Sequence, residues 1–168
     1  PLPVHHVDLA GNQAERIAIR LGHGHGGVSA HATPAGPIDH AFVMVPTEAV
    51  SGVIIDCGRA GVTVATIFSD GFADVGADGL ARQHDLVAIA RDHGVRLLGP
   101  NSMGVIDTHA GATITVNAAV EADTLNKGAI GVISQSGTVL GTLLSRGQAR
   151  GIGFSKLVSV GNEADLGV

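Results

Sequence analysis

Apolar residues along this chain fall into short runs separated by amphipathic stretches, and from Ile38 onward the two alternate regularly. Residues 41–45 (AFVMV) form a run that stops at Pro46, as a buried strand does. Thr47 stands where it would cap a helix whose Val50, Val53, Ile54 and Cys57 share one face, with Gly61 as its stop. Residues 62–68 read as the next strand and residues 80–93 as the next helix, with Leu86, Ile89 and Ala90 turned inward; residues 95–98 are a strand again. This alternation predicts an α/β protein with a parallel sheet and helical crossovers. Ahead of it, Ala10, Ala14, Ile17, Ala18 and Leu21 recur at helical spacing, which predicts a helix over residues 8–21 stopped by Gly22. Residues 22–37, rich in Gly, His and Pro, read as loop.

After Gly99-Pro100-Asn101 the texture loosens. Residues 108–127 carry one short strand, at 113–117, and a second strand-helix-strand unit follows: a strand at 129–133, a helix from about Thr138, a strand at 156–160. A domain boundary is expected near residues 106–112, dividing the chain into 1–108 and 109–168. The second part is short for an open sheet, so its edges and one face should need further polypeptide or a partner chain.

Composition narrows the class further. Of 168 residues 45% are hydrophobic, and the mean hydropathy of +0.33 suits a well-packed core. No apolar run reaches membrane-spanning length and no signal-peptide pattern opens the chain. A single cysteine, Cys57, excludes an intrachain disulfide framework and suits the cytoplasm. The net charge of −5, with 10 Lys+Arg, argues against a nucleic-acid groove. The absence of Trp and Tyr argues against base-stacking platforms.

Candidate chemistry concentrates at turns. Ser134-Gln135-Ser136-Gly137 links a strand to a helix, where free N–H groups and the helix dipole form a site for phosphate or another anion. The same residues also suit a plain turn with a Ser N-cap. A hydrolase nucleophile elbow needs Gly two before and two after the Ser, and neither Ser134 nor Ser136 has both. Gly22-x-Gly24-x-x-Gly27 has the dinucleotide spacing but lacks the strand-to-helix setting, so it is read as coincidental. His5, His6, His23, His25 and His31 lack a metal-ligand spacing and are read as solvated, so no metal site is expected. Pro46, Asp70-Gly71-Phe72 and Gly99-Pro100-Asn101 each follow a strand. All three would therefore emerge at one carboxyl edge, where ligands bind in parallel sheets.

DHAFVMVPTEAV (39–50), FSDGF (68–72), RLLGPNSMGVI (96–106), GVISQSGTVLGTLL (131–144) and GFSKLVSVGNEADLGV (153–168) together resemble the nucleoside-diphosphate-forming acyl-CoA synthetases, the superfamily of the succinyl-CoA synthetase α subunit. The resemblance implies a Rossmann-like CoA-binding domain followed by part of a flavodoxin-like ligase domain. Members join a carboxylic acid to CoA at the expense of ATP or GTP, through an acyl phosphate and a phosphorylated histidine. By position, Val45, Pro46, Ser69, Asp70 and Asn101 would line the CoA site, with Ser102 as a further contact where the family often has Cys. Ser134, Ser136 and Gly137 would hold the phosphoryl group. The resemblance places the phosphorylated histidine beyond the matched segment, so no catalytic residue is expected in these residues. ATP or GTP with Mg2+ would bind an ATP-grasp part supplied by another domain or subunit, in an oligomer. The Gly-rich turn that holds the CoA phosphates in the family has no counterpart before Asp39. The alternative reading is a non-catalytic CoA or nucleotide sensor.

Overall fold

The computed structural model describes residues 17–23, 27–30, 38–120 and 124–168. The chain makes two sheets. The first has the order β2-β1-β3-β4-β5, from β1 (Ile17–His23), β2 (Gly27–Ala30), β3 (His40–Met44), β4 (Val64–Ile67) and β5 (Arg96–Leu98). Strands β1, β3, β4 and β5 are parallel and β2 lies antiparallel on the outer edge of β1.

Two expectations for the N-terminal region are corrected. Residues 17–21, expected at the end of a helix, are strand: β1 pairs with β3 from Ile17↔His40 to Leu21↔Met44. Ile17, Ile19 and Leu21 also satisfy a period of two, and β-branched Ile favours the pleated state once a neighbouring strand offers its edge. Residues 27–30, expected within a loop, pair with β1 from Arg20↔Ala30 to His23↔Gly27. The rest of the expected helix, residues 8–16, lies outside the described residues.

Helices α1 (Thr47–Arg59) and α2 (Ala77–Asp92) cross between β3, β4 and β5 and pack side by side on one face. The inward residues of α1 are Val50, Val53, Ile54 and Cys57, at the anticipated helical spacing. They meet Ala41, Val43, Val45, Ala65, Ile67 and Leu97 from the sheet and Leu86 and Ala90 from α2. Thr47 is not the cap. Pro46 occupies the N-cap with no side-chain bond, while Thr47 Oγ1 donates to the Asp70 carbonyl at 2.9 Å. On the opposite face the cross-strand neighbours Phe42, Thr66 and Leu98 are also buried, and Thr66 Oγ1 shares a 2.8 Å hydrogen bond with His40 Nε2.

The second sheet has the order β7-β6-β9-β8, from β6 (Gly104–Asp107), β7 (Ala112–Thr115), β8 (Lys127–Ser134) and β9 (Phe154–Ser159). Only β8 and β9 are parallel; β6 runs antiparallel to both β7 and β9. Strand β6 thus enters the second sheet ahead of residue 108, and the change of sheet occurs within residues 99–103. Helix α3 (Gly137–Gln148) places Leu140 and Leu144 on Ile106, Phe154 and Leu157. Strand β8 ends the sheet, with Ile130 50% and Ile133 55% exposed. No helix among the described residues is long and apolar enough to cross a membrane.

The two sheets are joined after β9. The N–H groups of Asn162, Ala164 and Leu166 donate to the carbonyls of Pro100, Gly99 and Leu97 at 2.9, 3.1 and 3.1 Å, lying along the free edge of β5. Asp165, with its side chain 3% exposed, accepts from Arg96 Nε at 2.7 Å, Leu97 N–H at 3.0 Å and Arg91 at 3.3 Å. Burial pushes the Asp165 carboxyl up, but the bonds from Arg96, Leu97 and Arg91 outweigh it and hold it below the ordinary range. At the start of the β6–β7 turn, Asp107 is lowered to about 2 by the N–H of Ala110 and by Lys156, whose Nζ lies at 2.8 Å.

Both folded-state values lie below that of an unfolded Asp, about 3.9. The stability these groups contribute is present above about pH 4 and is lost as pH falls toward about 2. Urea unfolding between pH 6 and pH 2 should show that loss, and Asp107→Asn should flatten it. At neutral pH, Asp165→Asn should lower unfolding free energy by about 1–3 kcal/mol, the range for hydrogen bonds to charged groups.

Candidate functional site

The carboxyl ends of β3, β4 and β5 open into a cleft of about 380 Å³ lined by Met44, Val45, Pro46, Thr47, Phe68, Ser69, Asp70 and Asn101. The parallel sheet explains the convergence: each strand delivers its following loop to the same edge. Short bonds then fix the loops to one another. Ser69 Oγ donates to the Val45 carbonyl at 2.5 Å, and Asn101 N–H donates to the Ser69 carbonyl at 2.9 Å. Asn101 has φ +57°, a left-handed conformation that Asn tolerates better than most residues, after Gly99 at φ +105°. The first-turn amides of α1 lie at the cleft without a side-chain cap, so the positive end of its dipole faces the cavity. None of the lining residues is basic. Phe68, 38% exposed, supplies an apolar wall, its ring tilted against Phe42 at 6.5 Å between centroids.

The loop after β4 is the most heavily braced wall. Asp74, in the 3-10 turn Ala73–Val75, accepts Gly71 N–H at 2.9 Å and Phe72 N–H at 3.0 Å. Arg82 donates to the Gly71 carbonyl, and the buried Gln83 accepts Ala73 N–H at 3.3 Å. Gly71 has φ +83°, and a Cβ there would lie 2.9 Å from Thr47 Oγ1, so both conformation and space require glycine.

Five residues expected at a CoA site, Val45, Pro46, Ser69, Asp70 and Asn101, are brought together in this cleft. Ser102 is not among its walls. It is fully buried, with Oγ donating to the Ser159 carbonyl at 2.6 Å and accepting Gly104 N–H at 3.1 Å, and so links the loop after β5 to β9. Met44, Thr47 and Phe68 were not expected as walls, nor Asp74 as the brace of the Asp70 loop. An Asp placed to accept the two amides behind a Gly turn was the signal for Asp74.

The Ser134 turn has the anticipated strand-turn-helix form. Ser136 is the N-cap of α3 and its Oγ accepts Val139 N–H at 3.3 Å, while Ser134 Oγ accepts Ser136 N–H at 3.1 Å. Two amides of the turn are thus satisfied locally, leaving those of Gly137 and Thr138, which have no acceptor within the helix. The Ser136 hydroxyl bonds no histidine among the described residues. Gly137 is buried against Met103, and Asn117 Nδ2 donates to its carbonyl at 3.1 Å. The 99–103 loop therefore touches both places: Asn101 lines the cleft and Met103 packs under the turn.

Among the described residues no group of three or more His, Cys, Asp or Glu forms a metal site. His5, His6, His25 and His31 lie outside them. Gly22 and Gly27 belong to an antiparallel strand pair, not a strand-to-helix turn.

A family model described as "CoA binding domain" matches residues 15–108, more than half of the chain. The chain belongs to the CoA-binding domain family. The "Succinyl-CoA ligase like flavodoxin domain" matches residues 127–168 downstream of the CoA-binding domain. The two models together agree with the motif resemblance to the nucleoside-diphosphate-forming acyl-CoA synthetases. The ADP-forming acetate–CoA ligase II subunit alpha of Pyrococcus furiosus is 37% identical over 131 residues, covering 78% of this chain and 28% of the relative. A trans-feruloyl-CoA synthase from an unknown prokaryotic organism is 32% identical over 132 residues, covering 78% of this chain and 19% of the relative. The dinucleotide forming acetyl-coenzyme A synthetase 1 of Ca. Korarchaeum cryptofilum, solved with phosphate and ADP, superposes with TM-score 0.72 at 37% identity. That match covers 79% of this chain and 27% of the other. The chain thus spans less than a third of the length of each of these relatives.

Removing the Ser136 hydroxyl should cost α3 its cap. Ser136→Ala is expected to lower stability by about 1 kcal/mol. A Cβ on Gly137 would stand 2.3 Å from Met103 Cγ. Gly137→Ala should therefore cost about 1–3 kcal/mol by overpacking, measured by urea unfolding.

Proposed function

We propose that these residues form the CoA-binding portion and the start of the ligase portion of an ADP-forming acyl-CoA synthetase. The observation that carries this reading is the cleft at the carboxyl ends of β3, β4 and β5, which gathers Val45, Pro46, Ser69, Asp70 and Asn101.

The walls fit CoA in kind. Apolar Val45 and Phe68 suit an uncharged stretch of the ligand, and the polar edge of Ser69, Asp70 and Asn101 suits its amides and hydroxyls. CoA supplies the thiol of the thioester. The protein's part is to hold and orient it, and Asp70, exposed at the rim, stands free to accept hydrogen bonds from the ligand. The Ser134–Ser136–Gly137 turn holds a phosphoryl oxygen at the amides of Gly137 and Thr138, so a chain of net charge −5 needs no basic pocket for it. Ser102 acts through the seam between the sheets, not on the ligand.

The two portions divide at residues 108 and 109, with β6 contributed by the first to the second sheet. ATP with Mg2+ belongs to an ATP-grasp part of the same assembly, and the phosphorylated histidine to polypeptide beyond the matched segment 153–168. The exposed flank of β8 and α3, with Ile130, Ile133, Val139 and Leu143, suits a covered position in such an assembly. The acid is a carboxylic acid of open identity, since relatives of similar likeness are named for acetate and for feruloyl groups.

Calorimetric titration with CoA tests the reading. The unaltered chain should bind, and Asp70→Ala should weaken binding about tenfold, the loss of one charge-assisted hydrogen bond. Pro46→Ala should weaken it less, by loosening the entry to α1. Absence of any binding at millimolar CoA by the folded chain would remove this function.

A further inference from the structure

Asn162 lies in the segment after β9, outside the cleft, yet it touches two of the three loops that make it. Its backbone N–H donates to the Pro100 carbonyl at 2.9 Å, next to the lining residue Asn101. Its side-chain Nδ2 donates to Asp74 Oδ1 at 2.9 Å and to Gln83 Oε1 at 3.2 Å. Asp74 Oδ1 is the same atom that accepts Phe72 N–H, so the bond reaches the loop carrying Asp70 directly. Burial pushes the Asp74 carboxyl up, but the bonds from Asn162, Gly71 and Phe72 outweigh it and hold it ionised below the ordinary range.

Two residues earlier the same segment meets the other candidate site. Val160 N–H donates to the Ser134 carbonyl at 2.9 Å, at the end of β8 where the phosphate turn begins. Between them Gly161 has φ +56°, and a Cβ there would lie 2.1 Å from the Pro100 carbonyl oxygen. The bridge from Val160 to Asn162 therefore passes in a conformation and at a distance open to glycine alone.

We propose that Asn162 is a positioning residue for the CoA cleft: through Asp74 and Pro100 it sets the spacing of the Asp70 and Asn101 walls, and ties that spacing to the strand end carrying Ser134. The inference rests on the CoA reading of the cleft and goes beyond it. Asn162 touches no ligand; it acts by holding two walls that the ligand must span, so its loss lowers affinity by restoring freedom to the loops. Docking of the segment as a whole is a separate matter, held by Asp165 on Arg91 and Arg96 at the far side from the Asp70 loop.

That separation supplies the experiment. CoA affinity and urea stability are measured for the unaltered chain, Asn162→Ala, Asp74→Ala, the double variant and Asp165→Asn. The expected result is that Asn162→Ala and Asp74→Ala each weaken CoA about three- to tenfold, in the range of one lost hydrogen bond. The double variant should be little worse than the weaker single one, because the two residues act through one contact. Asp165→Asn should unfold at lower urea yet bind CoA within twofold of the unaltered chain. Amide exchange at Gly71 and Phe72 should quicken in Asn162→Ala without ligand and stay unchanged in Asp165→Asn. Should Asn162→Ala fail to fold, Asn162→Ser, which shortens the side chain away from Asp74 and Gln83, carries the test, because Asp74→Ala also frees Gly71 and Phe72. Normal CoA affinity in the folded Asn162 and Asp74 variants overturns this proposal while leaving the CoA function standing. An equal loss in Asp165→Asn overturns it too, since general loosening would then suffice. Failure of the unaltered chain to bind CoA removes both.

Discussion

Strand β5 is the end of the first sheet, and an end strand presents carbonyl and N–H groups that must find partners. Here the segment after β9 supplies them: three amides meet the carbonyls of Leu97, Gly99 and Pro100, and the Asp165 carboxylate takes the Leu97 N–H where a further strand would have placed a carbonyl. The satisfaction of that edge is the constraint on which the rest depends. It closes one sheet and anchors the other, and the two amide bonds to Gly99 and Pro100, rather than the Asp165 contacts at Leu97, fix the course of residues 99–103 between them. Those residues in turn supply one wall of the cleft and the side chain beneath the Ser134–Gly137 turn.

Because the seam is made of backbone bonds backed by small or fully bonded side chains, it leaves little room for substitution. Ser102 Oγ donates to the Ser159 carbonyl at 2.6 Å, and Met103 N–H donates to Ser159 Oγ at 3.1 Å. Glycine at 161 lets the chain pass within touching distance of the Pro100 carbonyl. A close seam of this kind positions loops more tightly than side-chain packing alone, which is what a ligand spanning several loops demands.

The electrostatic economy of the protein follows from the same architecture. Its cleft has no basic lining and its net charge is −5. For the proposed function, attraction for anionic groups would therefore fall to oriented backbone amides at the starts of α1 and α3. These are permanent partial charges that need no counter-ion and do not titrate. At α3, however, two of the turn's amides are already engaged by Ser134 and Ser136, and those of Gly137 and Thr138 have no acceptor within the helix. The serines serve as turn formers first, and they aim the remaining amides by doing so.

From Ile38 to Leu98, and again from β8 to β9, the order of elements was legible in the residues themselves, because periodicity and turn chemistry are local; β6 (Gly104–Asp107) was not expected. Apolar runs bounded by Pro46, Gly61 and Gly99 marked strands, and the spacing of Val50, Val53, Ile54 and Cys57 marked a helix face. The convergence of Pro46, Asp70 and Asn101 followed from topology, since parallel strands send their loops to one edge. Residues 17–21 were misread because Ile, Ala and Leu at mixed spacing satisfy both periods, and only pairing with β3 selects the strand. Ser102 was expected as a contact from its family position, where Cys is frequent. Its burial depends on Ser159, 57 positions away, which no local pattern encodes. Asn162 and Asp74, 88 positions apart, meet only because β5 has an unsatisfied edge for the chain to return to. What the sequence determined alone is the alternation of strands and helices from Ile38 to Leu98 and the one edge where their loops gather. The tertiary structure decided which side chains face the ligand and which hold the walls, because that depends on contacts whose cost in chain entropy is offset only when the whole fold closes.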